Sequence, residues 1–399
     1  MRYLQIASAI EAREELQRIG VAPYGAESMA PKMESLNLFL EGIECKVANI
    51  MKQEMLSIGG DVAVARGVVG CTVEKTDAII MGSLKQIEKF ADKLSPQPFN
   101  LSKVAEDIRK IVSNLNRSTF ILKTPVREIH IGERTLIMGI VNVTPDSFSD
   151  GGILRNLKDA VQYALNLVQM GADIIDIGGE SSRPGSDPVM LKEELRRVIP
   201  LVKELKNTIG VPISVDTMKA DVAREALESG AEIINDISAM RNDQNMAEVA
   251  AHYGVPVILM HMRGVPKTMQ AGDISYLSVM EEVTRFLDER IEAAESAGID
   301  RDNIIIDPGI GFGKRAIDNN VIIRRLKELK SLGRPILVGT SRKAFIGSVT
   351  GKPAADRLDG TAATVTAAIM NGANIVRVHD VGFFKGVSRM TDAIVRSEP

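Results

Sequence analysis

A period constrains this chain more than any other feature. Short apolar, largely β-branched runs recur eight times: TLIMGIVNV (135–143), DIIDIG (173–178), PISVD (212–216), EIINDI (232–237), PVILMH (256–261), NIIID (303–307), PILVGT (335–340) and NIVRVHD (374–380). Between them lie stretches with helical spacing, such as LKDAVQYALNLVQMGA and VMEEVTRFLDERIEAAESAG. Small pairs such as Gly171-Ala172, Gly230-Ala231 and Gly372-Ala373 precede several runs and suit helix caps. Strands this uniformly apolar, alternating with helices, require a parallel sheet covered on both faces. Eight such units between residues 126 and 399 match a (β/α)8 TIM barrel, typically about 250 residues long. A doubly wound open sheet is the alternative. The count of eight, and the lack of a glycine-rich dinucleotide fingerprint after the first run, weigh against it.

Upstream, LSPQPFNLS (94–102) breaks the pattern, and the regular series is set by about residue 125. Residues 1–125 carry strand-like runs (DVAVARGVVG, DAIIMG) and amphipathic helices (LKQIEKFADKL, KVAEDIRKIVSNL), so a small α/β domain is expected there. Its 16 basic and 15 acidic residues rule out an electrostatic tail. Oligomerisation, regulation and stabilisation all stay open as its role. Cys45 and Cys71 both fall in it and read as small buried residues rather than a redox pair.

Composition narrows the function classes. Lys plus Arg number 49 against 52 Asp plus Glu, a formal charge of -3, which argues against a nucleic-acid coat or a polybasic membrane surface. No Trp and 4% aromatics leave no base-stacking platform. Two cysteines and four histidines (His130, His252, His261, His379) make a Cys- or His-built metal site improbable. The charged first residues do not resemble a signal peptide, and no run approaches the roughly 18 apolar residues of a membrane span. A cytoplasmic protein is the expectation.

A TIM barrel carries its active site at the carboxyl ends of its strands. Here all eight ends are polar: Asn142, with Asp146, Phe148 and Asp150 beyond it; Glu180-Ser181-Ser182-Arg183-Pro184-Gly185; Asp216-Thr217; Asn235-Asp236; His261; Asp307 followed by Phe312 and Lys314; Ser341-Arg342-Lys343; and Arg377 with His379 and Asp380. Alternation puts Arg377 and His379 on one face of their strand, and likewise Ser214 and Asp216 on one face of theirs. Asn142, Ser182, Arg183, Arg377 and His379 suit a phosphate or pyrophosphate. Asp216, Asn235, Asp307 and Lys343 offer mixed donors and acceptors to a flat heterocycle. The residues alone therefore describe a pocket for a nitrogen heterocycle with an anionic tail.

Blander readings stand beside these. Asp216-Thr217 could be a helix N-cap. The Gly309–Lys314 run lacks the Walker spacing and more often would be a plain turn. His261 and His130 read first as structural, His252 as a helix-end residue, and Met260 and Met262 as core or pocket wall.

Taken in order, NVTPDSFSDGG, GGESSRPG, VDT, IND, DPGIGFGK, GTSRK and RVHDV resemble the dihydropteroate synthase family. The resemblance covers residues 135 to 380. It implies condensation of 7,8-dihydropterin-6-ylmethyl diphosphate with 4-aminobenzoate, releasing pyrophosphate, through an SN1-like pterin cation in folate biosynthesis. It also implies a homodimer and Mg2+, bridged between Asn142 and the phosphate oxygens. By the same resemblance Asp216, Asn235, Asp307 and Lys343 hold the pterin, and Asn142, Arg183, Arg377 and His379 the diphosphate. Phe148, Ser182, Pro184, Phe312, Ser341 and Arg342 would surround the aminobenzoate. Asp216, Asp307, Lys343 and Arg183 would serve catalysis. An Asp150–Arg183 contact in a closed state of the loops after the first two strands is a further expectation. Two departures qualify the match: Ser182 stands where Thr is common, and residues 1–125 have no place in the ordinary enzyme. Methyltetrahydrofolate-type corrinoid methyltransferases share the barrel but have no use for Arg377, His379 or the SSRPG loop. A non-catalytic pterin-binding paralogue is the other alternative.

Overall fold

Each of the eight apolar runs forms a parallel strand of one sheet in the structure, a computed structural model that describes residues 1–2, 4–6, 8–144 and 156–396. Asp146, Phe148 and Asp150 lie outside the described residues, and with them the expected Asp150–Arg183 contact.

The chain divides into two compact units, Met1–Asn116 and the residues from Arg117 onward. In the first, helices α1 (Ala9–Arg18) and α2 (Pro23–Met29) precede β1 (Ser35–Glu44), α3 (Cys45–Leu56), β2 (Asp61–Val64), β3 (Lys75–Ser83), α4 (Leu84–Leu94) and α5 (Leu101–Asn116). The three strands form an antiparallel sheet in the order β1-β3-β2. Alternation sends Leu38, Val62, Ala78 and Ile80 to one face, where they meet Met51, Met55, Ile87, Phe90 and Ile108 of the helices. α4 starts on a capping box between Ser83 and Gln86. Cys45 is buried, but Cys71, expected to be buried as well, is exposed.

A hairpin opens the second unit: β4 (Phe120–Lys123) pairs antiparallel with β5 (Glu128–Ile131). It belongs with the barrel, so the division falls before it and not at about residue 125, which lies in its turn. The barrel strands follow as β6 (Leu136–Asn142), β7 (Ile174–Gly178), β8 (Ile213–Asp216), β9 (Ile233–Asp236), β10 (Val257–Met260), β11 (Ile304–Asp307), β12 (Leu337–Val338) and β13 (Ile375–Val378). Their order is β11-β10-β9-β8-β7-β6-β13-β12, and a parallel bridge between Ile306 and Ile336 links the two ends of that row. Helices on the outside include α6 (Leu157–Met170), α7 (Leu191–Lys206), α8 (Ala220–Ser229), α9 (Met246–Tyr253), α10 (Val279–Ser296), α11 (Ala316–Arg324), α12 (Ala344–Thr350), α13 (Leu358–Met370) and α14 (Val381–Val395). Gly171, Gly230 and Gly254 close α6, α8 and α9 in the left-handed conformation.

Inside the barrel, Leu136, Met138, Ile174, Ile233, Ile258, Ile305, Leu337 and Ile375 form one apolar cluster with Phe120, Leu122, Ile129 and Ile131 of the hairpin. The hairpin thus seals the amino-terminal end of the barrel. The other end carries the polar groups. Among the described residues no helix is long and apolar enough to cross a membrane.

Candidate active site

The polar floor follows from the strand period. Two residues beyond Ile174, Ile233, Ile305 and Ile375 stand Asp176, Asn235, Asp307 and Arg377, on the same inward face and nearer the carboxyl ends. Neighbouring strands bring these residues together. Asp176 pairs in register with Ser214, and Asp216 with both Gly178 and Asn235.

Arg377 organises this floor. Its Nε donates to Asp176 Oδ2 at 2.6 Å and its Nη2 to Asp216 Oδ2 at 2.8 Å. Asn235 Nδ2 donates to the same Asp176 oxygen at 3.1 Å. Asp216 is therefore no helix cap; Lys219 occupies the N-cap position of α8. Arg377, expected to grip phosphate, has two of its nitrogens committed to the carboxylates beside the heterocycle residues. Burial pushes Asp216 up to about 7, with Arg377 opposing and Asp176 adding to the rise. Burial works against the charge on Arg377, but Asp176 and Asp216 hold its pKa above the ordinary value.

Asp307 and Lys343 form the other half. The Asp307 carboxylate accepts from the Gly309 amide at 2.7 Å, and burial raises its pKa against the pull of Lys343. Lys343 donates to the Ile310 carbonyl, and its ammonium lies 4.5 Å from the centre of the Phe312 ring. Burial brings Lys343 down to about 8, with Asp307 pulling upward. Phe312 sits in a buried apolar cluster with Ile237, Met260, Met262 and Met269.

Above this floor, His379 Nδ1 lies 2.9 Å from Ser341 Oγ. Burial, with Arg342 and Arg377 nearby, lowers His379 to about 3, so its imidazole is neutral. Arg342, at φ +59°, is clamped to Asp380 by bonds of 2.6 and 3.2 Å. Asn142 ends β6 beside Gly178, where an added Cβ would lie 3.4 Å from its Oδ1. Arg183 and Pro184 are exposed on the loop after β7, with Ser182 half-buried; Gly185 of that loop donates to Pro266 at 3.1 Å.

Several groups in or around the site escaped the sequence reading. Asp176 was legible as the inward step after Ile174 in DIIDIG. Its Oδ1 and the Ser214 hydroxyl are buried without a hydrogen-bond partner among the described residues, on neighbouring strands. Glu194 of α7, fully buried, accepts from Thr217 Oγ1 at 2.6 Å and from Lys219, which also reaches Glu180. Sequence spacing alone could not unite these four. Lys314 is buried against His261, with its ammonium 2.7 Å from Nδ1.

The pterin binding enzyme family profile matches residues 138–379. The dihydropteroate synthase of Synechocystis sp. is 48% identical over 266 residues, covering 66% of this chain and 92% of that protein. The chain belongs to the dihydropteroate synthase family. A solved dihydropteroate synthase from Xanthomonas albilineans, with 4-aminobenzoic acid, superposes with a TM-score of 0.65 at 44% identity, covering 70% of this chain and all of the other. A probable bifunctional folylpolyglutamate synthase/dihydropteroate synthase of Halobacterium salinarum is 40% identical over 378 residues, 94% of this chain but 45% of that protein. A match of that length reaches well into Met1–Asn116, so the first unit of this family member has a counterpart there.

Proposed function

We propose that the barrel condenses 7,8-dihydropterin-6-ylmethyl diphosphate with 4-aminobenzoate, releasing pyrophosphate and forming dihydropteroate. The observation that carries this reading is the alternation of buried carboxylates and cations around one polar floor: Asp176, Asp216 and Asp307 against Arg377 and Lys343. A pterin edge rich in N–H groups satisfies Asp216 and Asp307, while Asn235 and Lys343 take its acceptors. Asn142, Arg183 and His379 grip the diphosphate. Phe312, Ser182 and Pro184 form the aminobenzoate wall, to which Phe148, Ser341 and Arg342 are also assigned by the family resemblance.

The C–O bond to the diphosphate breaks first, with its electron pair leaving on pyrophosphate. The carboxylates of Asp216 and Asp307 stabilise the pterin cation that remains, an electrostatic role suited to a buried, preorganised site. The arylamine lone pair then forms the C–N bond, and the amine loses one proton.

Among the described residues no three His, Cys, Asp or Glu side chains could together hold a metal. Asn142 ends β6 beside Gly178, at the carboxyl end of the strands, and its neutral carboxamide oxygen would serve as a ligand for a Mg2+ carried in with the diphosphate. Such an ion would neutralise charge building on the leaving group. A cytoplasmic homodimer completes the reading.

The test is direct: purified full chain, both substrates and Mg2+, with pyrophosphate and dihydropteroate both measured. Equimolar appearance is expected. Folded protein that yields neither overturns the proposal.

A further inference from the structure

Lys314 ends the DPGIGFGK run, yet it is 3% exposed, its ammonium enclosed by backbone carbonyls and the His261 ring. Its ammonium donates to the carbonyls of Gly309 at 2.9 Å, Phe312 at 3.2 Å and His261 at 3.2 Å, and contacts His261 Nδ1 at 2.7 Å. Burial brings Lys314 down to about 7, with Asp307 pulling upward; in its ammonium form it has no acceptor, so Nδ1 accepts and His261 carries its proton on Nε2. Burial and the Lys314 charge keep His261 well below the ordinary imidazole value. Its ring is held edge-on to Phe286, with 4.9 Å between centroids.

The backbone around this ammonium is bent to reach it. Gly309, Gly311 and Gly313 all have positive φ, at +65°, +85° and +65°. A Cβ at Gly309 would lie 1.9 Å from the His261 carbonyl oxygen, and one at Gly313 2.7 Å from that of Arg263. The loop is thus pressed against the end of β10, and three carbonyls and an imidazole lone pair converge on one buried point. Four acceptors facing one another without a donor would each carry a desolvation cost of about 1–3 kcal/mol. The arrangement is that of a cation site made from backbone, filled by the chain's own side chain.

The same loop supplies much of the active site. Its Gly309 amide holds Asp307, its Ile310 carbonyl accepts from Lys343, and its Phe312 ring carries the Lys343 ammonium. Gln270 fixes it from outside through the Gly311 carbonyl at 3.0 Å. We propose that Lys314 is a positioning residue: its ammonium is the internal cation around which the 308–313 loop folds, and through that loop it sets Asp307, Lys343 and Phe312. The inference rests on the synthase reading for its kinetic consequence, though not for the cation cage itself.

The experiment compares the full chain with Lys314→Ala, Lys314→Met and Lys314→Arg. In the first arm the unfolding temperature of Lys314→Ala is measured with n-propylammonium or n-propanol, the three-carbon match to the atoms removed. Stabilisation by the amine and not by the alcohol is expected, because the cage needs a cation and not merely a filled cavity. Equal effects of the two, or none from either, would overturn the cage. This arm needs no substrate, so it stands or falls separately from the synthase reading. In the second arm kcat/KM is measured for each substrate. Lys314→Met should lose about a hundredfold, the scale of a misplacement near 1 Å. Partial recovery is expected in Lys314→Arg, and in Lys314→Ala with propylammonium. A folded Lys314→Met with kcat/KM within threefold of the parent for both substrates would overturn the positioning role.

Discussion

Arg377 holds Asp216 through a 2.8 Å bond from Nη2, and this pair governs how the site responds to pH. Burial lifts Asp216 from an ordinary 3.8 to about 7, and Arg377 restrains the rise. A carboxylate must be ionised to accept two pterin N–H groups. So kcat/KM for the pterin diphosphate should climb as pH rises through about 7, and Arg377→Met should shift that limb to higher pH. Stability runs the other way. A folded-state value above the unfolded one means the fold binds the proton more tightly. Asp216's contribution is therefore full below the unfolded value and is lost as pH rises through about 7. Urea titrations of the parent and of Asp216→Asn across pH 4–8 should show a pH-dependent loss in the parent that the variant lacks.

Ser341 separates two assignments. Family resemblance gives it to the aminobenzoate, but its hydroxyl lies 2.9 Å from His379 Nδ1. If it orients the imidazole, Ser341→Ala should raise KM for the pterin diphosphate about fivefold, the equivalent of roughly 1 kcal/mol for one lost hydrogen bond. KM for aminobenzoate should stay within about twofold. The reverse pattern in steady-state kinetics would place Ser341 with the arylamine.

Lys219 joins two parts of the site that no sequence spacing connects. It bridges Glu180, at the root of the loop bearing Ser182 and Arg183, and the fully buried Glu194. Lys219→Met leaves Glu194 buried without its cation, which should destabilise the barrel by about 3–5 kcal/mol by denaturant titration. Among molecules still folded, KM for aminobenzoate should rise more than KM for the pterin substrate.

The hairpin makes a chain-length prediction. A chain beginning at Arg117 keeps Phe120 and Leu122 in the apolar cluster under the barrel and should fold. One beginning at residue 126 removes both. With about 1.5–3 kcal/mol for each buried side chain, the loss is about 3–6 kcal/mol. That corresponds to a drop in Tm of roughly 10 °C or more in a chain of this size, checked by calorimetry.

The barrel was legible because its strands are buried on both faces, leaving apolar runs that recur at regular intervals. All eight runs form strands, each within a residue or two of its expected bounds. The strand-end residues Asn235, Asp307 and Arg377 were legible for the same reason, since a polar group ending such a run is conspicuous. Asp176 was missed because it lies inside its strand, where one polar residue among isoleucines draws less notice than a loop motif. Lys314 and the Lys219–Glu194 pair were missed for another reason. Their roles depend on which loops meet, and period carries no information about that. The hairpin was read as strand, turn, strand, yet the boundary was drawn through it, because attachment to one core or another is a matter of packing.

The polar floor has three carboxylates, Asp176, Asp216 and Asp307, set around two cations, Arg377 and Lys343. Substituting any one of them leaves a buried charge of the opposite sign less compensated, so viable sequence change there has to come in compensating pairs. The arylamine side is built largely from loop residues such as Ser182 and Pro184, where a single exchange can alter the surface at little cost to the fold. A compound that copies the pterin therefore meets a surface with few escape routes, whereas one that copies the arylamine meets a surface that can drift one residue at a time.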